Sequence, residues 1–343
     1  MVDGREFIGN ATIKHVARMA GVSISTVSRV INKKGGVSKD LEDKIKSAID
    51  KLKYIPNTVA RALKGKSTKS IGLIIPSIEN PVFPPLVKII EDMANKYGFS
   101  TILCNSDGIL EKEAKYLQLL VEKQVDGIIL NAIGDYHEKL EVVKNTNTPI
   151  IVLGREIKEF KTTCVTINNF MGAHMAVEYL IKIGMKNIAF LFGSMEAISA
   201  INDRFEGYKQ ALKDYRIKYN GKLVAKGNRS FEGGTFATEE LIKRGVPFDA
   251  IFASNDMMAL GCIEKLIDSG YDVPRDISVM GYDDIPMASI FRPHLSTIRS
   301  PIQEFGKEAV KAILRIIYSK NDKLDEKSFV PELIIRDSTG AIL

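Results

Sequence analysis

Cysteine is scarce in these 343 residues: Cys104, Cys164 and Cys262 are an odd number set far apart, each in or beside an apolar run. That spacing argues against a disulfide framework and offers no metal-ligand pattern, so buried free thiols in a reducing compartment are expected. Histidine is nearly as rare, and His15, His137, His174 and His294 fall in no ligand or triad pattern. No segment supplies the roughly 18 uncharged residues of a membrane span. The opening MVDGREFIGN has no apolar core of signal-peptide length. Glycine is missing where a nucleotide-binding enzyme needs it. SIENP, after the first strand-like run, holds no GxGxxG turn, and GKST at 65–68 fails as a phosphate loop because the required glycine is Ala60 and no strand precedes it. We therefore expect a cytoplasmic protein without membrane contact, metal or cofactor, and assign no catalytic residue. An enzyme on a doubly wound fold, such as a nicotinamide-dependent oxidoreductase, a sugar kinase or another sugar-modifying enzyme, remains the competing reading.

What is present begins with charge. Residues 1–67 hold 14 Lys and Arg against 6 Asp and Glu, while the remaining 276 residues hold 34 against 36. All the excess positive charge lies in the first fifth of the chain, as expected of a small nucleic-acid-binding module on a near-neutral body.

Within that module Ile13, Val16, Ala17 and Ala20 recur at helical spacing behind Thr12, a candidate N-cap, and Gly21 can supply the positive φ of a tight turn. Ser23 is the next candidate cap. Ile24, Val27, Val30 and Ile31 then share one side of a second helix, with Ser25, Ser28, Arg29 and Asn32 on the other. A third helix, opened by Ser38 or Asp40, carries Leu41, Ile45, Ala48, Ile49 and Leu52 on its core face. Three short helices, a glycine turn and net positive charge describe a helix-turn-helix domain whose second helix enters the DNA major groove. Small hydroxyl side chains permit close approach to phosphates and base edges, and Arg29 suits a bidentate contact with guanine. The bland alternative leaves Ser25 and Ser28 on a solvated face.

In YIPNTVARALKGKST, Pro56 ends what precedes it, Asn57 is a candidate cap, and fewer than two turns follow before Gly65. So short a helix is marginal in water and is expected to form only against a partner or DNA. Leu63, among Arg61, Lys64 and Lys66, is a candidate minor-groove wedge, or Val59 and Leu63 pack a dimer.

From Ser70 onward short apolar runs alternate with amphipathic stretches. SIGLIIP (70–76), STILCN (100–105), DGIILN (126–131) and PIIVLG (149–154) read as buried parallel strands separated by helix-length segments such as 84–97 and 110–123. NIAFLF (187–192), LVAKG (223–227), AIFASND (250–256) and ISVMGYDD (277–284) repeat the rhythm. Two such series predict two similar doubly wound lobes with a ligand site in the cleft between them.

The motifs TIKHVARMAGVSISTVSRVIN, YIPNTVARAL, KSIGLIIP, QVDGIIL, NDMMALG and PRDISVMGYDD, in this order up to the closing IIRDSTG, resemble the LacI/GalR family of bacterial transcription regulators. The resemblance implies a small all-α helix-turn-helix domain at 10–56 and a hinge helix and linker at 57–69. It further implies an α/β periplasmic-binding-protein-like body at 70–343, built of two doubly wound parallel-sheet lobes. Lobe one is expected at about 70–166 and 299–326, lobe two at about 167–298 and 327–343. Also implied is a homodimer on a pseudo-palindromic double-stranded DNA operator, acting as a regulator of sugar or carbon metabolism under a small-molecule effector, a sugar or its derivative. Ligand in the cleft would change the angle between lobes and so the spacing of the two hinge segments; induction and corepression both fit. The expected DNA-binding residues are Thr12, Ser23, Ile24, Ser25, Thr26, Ser28, Arg29, Asn32, Asn57, Ala60, Leu63 and Lys64. Among these Ile24, Ser25 and Arg29 match base-reading positions and Leu63 the hinge wedge.

For the cleft the resemblance implies Phe83 packed on the effector, with Asn131, Arg155, Arg204, Asn255 and Asp283 around it. Carboxylate, amide and guanidinium groups suit the vicinal hydroxyls of a polyol. Alternatively Arg204 and Asp283 form a structural ion pair; Asp256 is expected to cap a helix at 257–269. Two departures stand out. Where relatives carry an aromatic residue after GD, this chain has GNRSF, placing Arg229 there, and Gly154 replaces a frequent aspartate. Arg155, Arg204 and Arg229 together point toward an acidic or phosphorylated ligand, with a phosphorylated sugar or a nucleobase as the alternative effector. No leucine heptads follow RDSTG, so a tetramerising coiled coil is not expected.

Overall fold

The computed structural model describes residues 11–32, 34–54, 67–132, 146, 148–154, 163–193, 199–319 and 327–340. Contacts divide the chain into two units, Met1–Thr68 and Lys69–Leu343.

In the first unit, α1 (Ile13–Ala20), α2 (Ile24–Ile31) and α3 (Lys39–Lys51) enclose a core of Val16, Ala17, Val27, Ile45 and Ala48. Gly21 ends α1 in the left-handed region at φ 66°, where a side chain would be strained. Ser23 opens α2, its Oγ accepting from the Thr26 amide at 3.2 Å. At the start of α1 the Thr12 amide donates to His15 Nδ1 at 3.3 Å, so this histidine works as a helix cap. One expectation fails: Ile24 does not join the core but stands 41% exposed in the first turn of α2, where the chain has only begun to turn inward.

The second unit holds two parallel sheets. The first has strand order β11-β5-β4-β3-β1-β2, using β1 (Ser70–Ile75), β2 (Ser100–Asn105), β3 (Gly127–Asn131), β4 (Ile150–Leu153), β5 (Thr163–Ile167) and β11 (Lys327–Phe329). Helices α4 (Phe83–Lys96), α5 (Leu110–Glu122) and α10 (Ile302–Ser319) cover it. The second has order β7-β6-β8-β9, from β6 (Ile188–Phe192), β7 (Val224–Lys226), β8 (Ala250–Ala253) and β9 (Ser278–Met280). It is flanked by α6 (Asn169–Lys182), α7 (Ser199–Asp214), α8 (Phe231–Lys243) and α9 (Asp256–Asp268). A two-stranded antiparallel ribbon of β10 (Thr297–Arg299) and β12 (Glu332–Ile334) completes the lobes. The near-continuous apolar strands β1, β3, β4, β6 and β8 are buried on both faces by these helices, which is what their composition requires. All three cysteines are buried thiols outside any disulfide.

Four details differ from the sequence reading. STILCN is not fully buried: β2 is the last strand of its sheet, and Ser100 and Leu103 are exposed. ISVMGYDD yields only a three-residue strand, because Asp283 (φ 113°) and Asp284 (φ 56°) turn the chain immediately afterwards. β11 pairs in parallel with β5, so the return to lobe two falls after Phe329 rather than at 326. Finally, α9 is capped by Asn255, whose Oδ1 accepts from the Met258 amide at 3.0 Å; Asp256 is not the cap but the first helical residue.

Candidate functional site

The two units carry separate candidate surfaces. On the first, Thr12 and Ser23 stand at the starts of α1 and α2, and Ile24, Ser25 and Arg29 are exposed along α2. Helix starts present free amides and a positive dipole end, which suit phosphate. Ser23 Oγ lies 2.7 Å from Ser25 Oγ and 2.8 Å from Thr26 Oγ1, forming one hydroxyl cluster. Half-buried Ser28 is engaged by Asn32, whose Nδ2 donates to the Ser28 carbonyl at 2.6 Å. Arg29 donates from Nε to the Gly35 carbonyl at 3.2 Å, so its guanidinium lies along the 34–36 turn. Asn57, Ala60, Leu63 and Lys64 lie outside the described residues.

On the second unit, the carboxyl ends of both sheets and the starts of α4, α6, α8, α9 and α10 converge on a cavity of about 140 Å³. Phe83, Asn131, Arg204, Arg229, Asn255 and Asp283 all line it; Arg155 lies outside the described residues. Sequence reasoning missed Asn169, Ser254 and Ser300, which also line the cavity. A position just beyond a strand or at the first turn of a helix was their available signal.

The centre of the cavity is a buried polar knot. Arg204 donates from Nε to Asn169 Oδ1 at 2.9 Å, from Nη1 to the Ser254 carbonyl at 2.5 Å and from Nη2 to Asp283 Oδ1 at 3.1 Å. Burial pushes the Asp283 carboxyl up, and the Arg204 guanidinium opposes that push by stabilising its charge. Behind it Asp256 is fully buried, accepting from Thr297 Oγ1 at 2.5 Å and from the Ile285 amide at 2.8 Å. Burial, then the neighbouring Asp283 charge, hold Asp256 well above the ordinary carboxylate range. Asp284, next in the chain, receives Arg299 at 2.7 Å and Arg336 at 2.7 Å, one from β10 and one from the segment after β12.

Asn255 is doubly engaged, with Oδ1 capping α9 and Nδ2 donating to the Arg229 carbonyl at 2.8 Å. The bond holds Arg229 at φ 71°, uncommon for a side-chain-bearing residue. Among the described residues the cavity contains no histidine, cysteine, lysine or glutamate, and its one carboxylate is taken by Arg204.

The helical module and the two-lobed body each match a known family. Residues 12–57 match bacterial regulatory proteins of the lacI family, and residues 177–339 match the periplasmic binding protein-like domain. The HTH-type transcriptional regulator RegA of Clostridium saccharobutylicum is 37% identical over 330 residues, covering 96% of this chain and 99% of its own. The chain belongs to the lacI family. The ribose operon repressor of Halalkalibacterium halodurans is 35% identical, with 96% of this chain and 97% of the relative covered. Among solved structures, a lac repressor dimer bound to operator and the anti-inducer ONPF superposes with TM-score 0.87 at 29% identity, covering 97% of this chain and 100% of that one. This lacI-family chain is accordingly a transcriptional regulator with a helix-turn-helix domain and a periplasmic-binding-protein-like body. No helix among the described residues is long and apolar enough to cross a membrane.

Proposed function

We propose that this protein is a cytoplasmic, dimeric repressor that reads a pseudo-palindromic operator through α2 and a hinge segment at 57–69, and is switched by a small-molecule effector in the interlobe cavity. Thr12, Ser23, Ile24, Ser25, Thr26, Ser28, Arg29 and Asn32, with Asn57, Ala60, Leu63 and Lys64, are assigned to DNA. Phe83, Asn131, Arg155, Arg204, Arg229, Asn255 and Asp283 are assigned to the effector. The lac repressor dimer on its operator and the ribose operon repressor lend the assembly and the sugar-related role.

One observation carries the effector half of this reading. The cavity floor and the crossings between lobes are hydrogen-bonded together: Asp283 faces the cavity, while its neighbour Asp284 holds Arg299 and Arg336 on two chain segments that run between or beside the lobes. A ligand that draws on Asp283 therefore acts on the same turn that holds both of these segments. Switching requires only that the ligand bind one lobe arrangement better than the other. Catalysis is not part of this reading, since the described lining offers no nucleophile with an adjacent base.

The test is selection of duplexes from a random pool by the full chain, followed by anisotropy titration. Enriched sites with two-fold symmetry, and an affinity that falls steeply with salt, are expected. Asymmetric or unenriched sequences would overturn the reading.

A further inference from the structure

Among the described residues the cavity carries one positive charge more than its carboxylates answer. Arg204 and Asp283 neutralise one another, whereas Arg229 lines the same cavity without a carboxylate among the described residues. Asp107, beside Gly108 in the loop after β2, is already engaged by Lys112 and Asn105. Arg229 itself is held by its backbone: Asn255 fixes its carbonyl, and it leads into the Ser230 cap of α8. Its side chain crosses toward the other lobe, since a Cβ on Gly108 would stand 3.3 Å from the guanidinium and one on Gly193 3.0 Å from its Cγ. Both neighbours being glycine leaves room for that path and offers the guanidinium no side chain. Burial pulls its pKa below the ordinary arginine value, a cost that an anion would relieve. The starts of α8 and α9 beside it add positive potential of the same sign.

We propose that the effector is a monosaccharide-sized polyol bearing one anionic group, a carboxylate or a phosphate, and that Arg229 receives that group while Arg204, Asp283 and Asn131 meet the hydroxyls. This rests on the effector-cavity reading above. The cavity's water-accessible space of about 140 Å³ is roughly ten times what a single water needs, enough for a small-molecule ligand. A planar guanidinium fork matches either oxyanion in pairs of hydrogen bonds.

The test uses the full chain in a thermal-shift and operator-binding series with glucuronate, glucose 6-phosphate, inorganic phosphate and glucose, at matched ionic strength. Stabilisation by glucuronate or by glucose 6-phosphate, exceeding that by glucose and by inorganic phosphate, is expected; which of the two prevails identifies the oxyanion. Arg229→Gln, which keeps the backbone and most of the side-chain volume, should weaken that binding roughly 10- to 100-fold, and Arg229→Lys should restore part of it. Glucose binding as well as its anionic relatives, or anion binding unchanged in Arg229→Gln, overturns the proposal and leaves the effector reading intact. Failure of every anionic compound overturns it as well. A ligand that stabilises the chain through Arg229 yet leaves operator affinity unchanged overturns the effector reading instead.

Discussion

The Arg204 guanidinium lies over the Tyr282 ring, 3.6 Å from its centroid, and donates to Asp283 at 3.1 Å. Three of its five N–H groups serve protein acceptors on three different stretches of chain, and the residue lines the cavity at the same time. The structural and the ligand-binding readings of this arginine are thus compatible: the ion pair pre-orients the donors.

Arg204→Met should strip the buried Asp283 of its counter-ion and cost the second unit about 3–5 kcal/mol, whereas Arg204→Met with Asp283→Leu should recover much of it. Urea denaturation of both variants checks this. Equal stability of the two would show that the pair is not structural.

Asp256 makes stability depend on pH. Its folded pKa lies well above the ordinary 3.8, so the unfolded chain ionises first, and the stability this group contributes is full below about pH 4 and lost as pH rises through the folded value. Asp256→Asn keeps one acceptor for the Ile285 amide and one donor for Thr297 while removing the titration. Wild-type stability should therefore fall relative to the variant as pH rises above about 4, read by thermal unfolding in buffers of increasing pH.

Gly261 and Gly234 let α8 and α9 touch backbone to backbone. A Cβ at Gly261 would lie 2.0 Å from the Phe231 carbonyl oxygen, and one at Gly234 2.2 Å from that of Met258. Neither carbonyl can rotate aside as a side chain would. Gly261→Ala should cost at least the roughly 1–3 kcal/mol of an overpacked core and lower the unfolding midpoint of the body. Specific DNA contacts should be untouched at temperatures where the chain stays folded.

Arg29→Ala should lower operator affinity by about 1–3 kcal/mol and relax preference at one base position, if the guanidinium leaves the Gly35 carbonyl for a guanine edge. Competition titration against a single-substituted operator set reads both effects. A loss spread evenly over all sequences would instead assign Arg29 to phosphate.

Much of this architecture was legible in local patterning. The spacing of Ile13, Val16 and Ala17 and the cap at Ser23 set the helical module, since amphipathic period and capping act over three or four residues. The strands of both lobes were equally visible where they are central and apolar. The short strands β5, β10, β11 and β12 were not, because three to five residues with polar members carry no period of their own and pair only once the lobes exist.

The sequence by itself determined the charge asymmetry, the helical DNA-reading module and the alternation of strand and helix, all properties of neighbouring residues. Only the tertiary structure decided how the cavity is used up. Whether a carboxylate is free depends on which cation reaches it from another element, and here Arg204 reaches Asp283 from 79 positions away, Asn255 rather than Asp256 caps its helix, and Arg229 is left with a charge that no described neighbour answers.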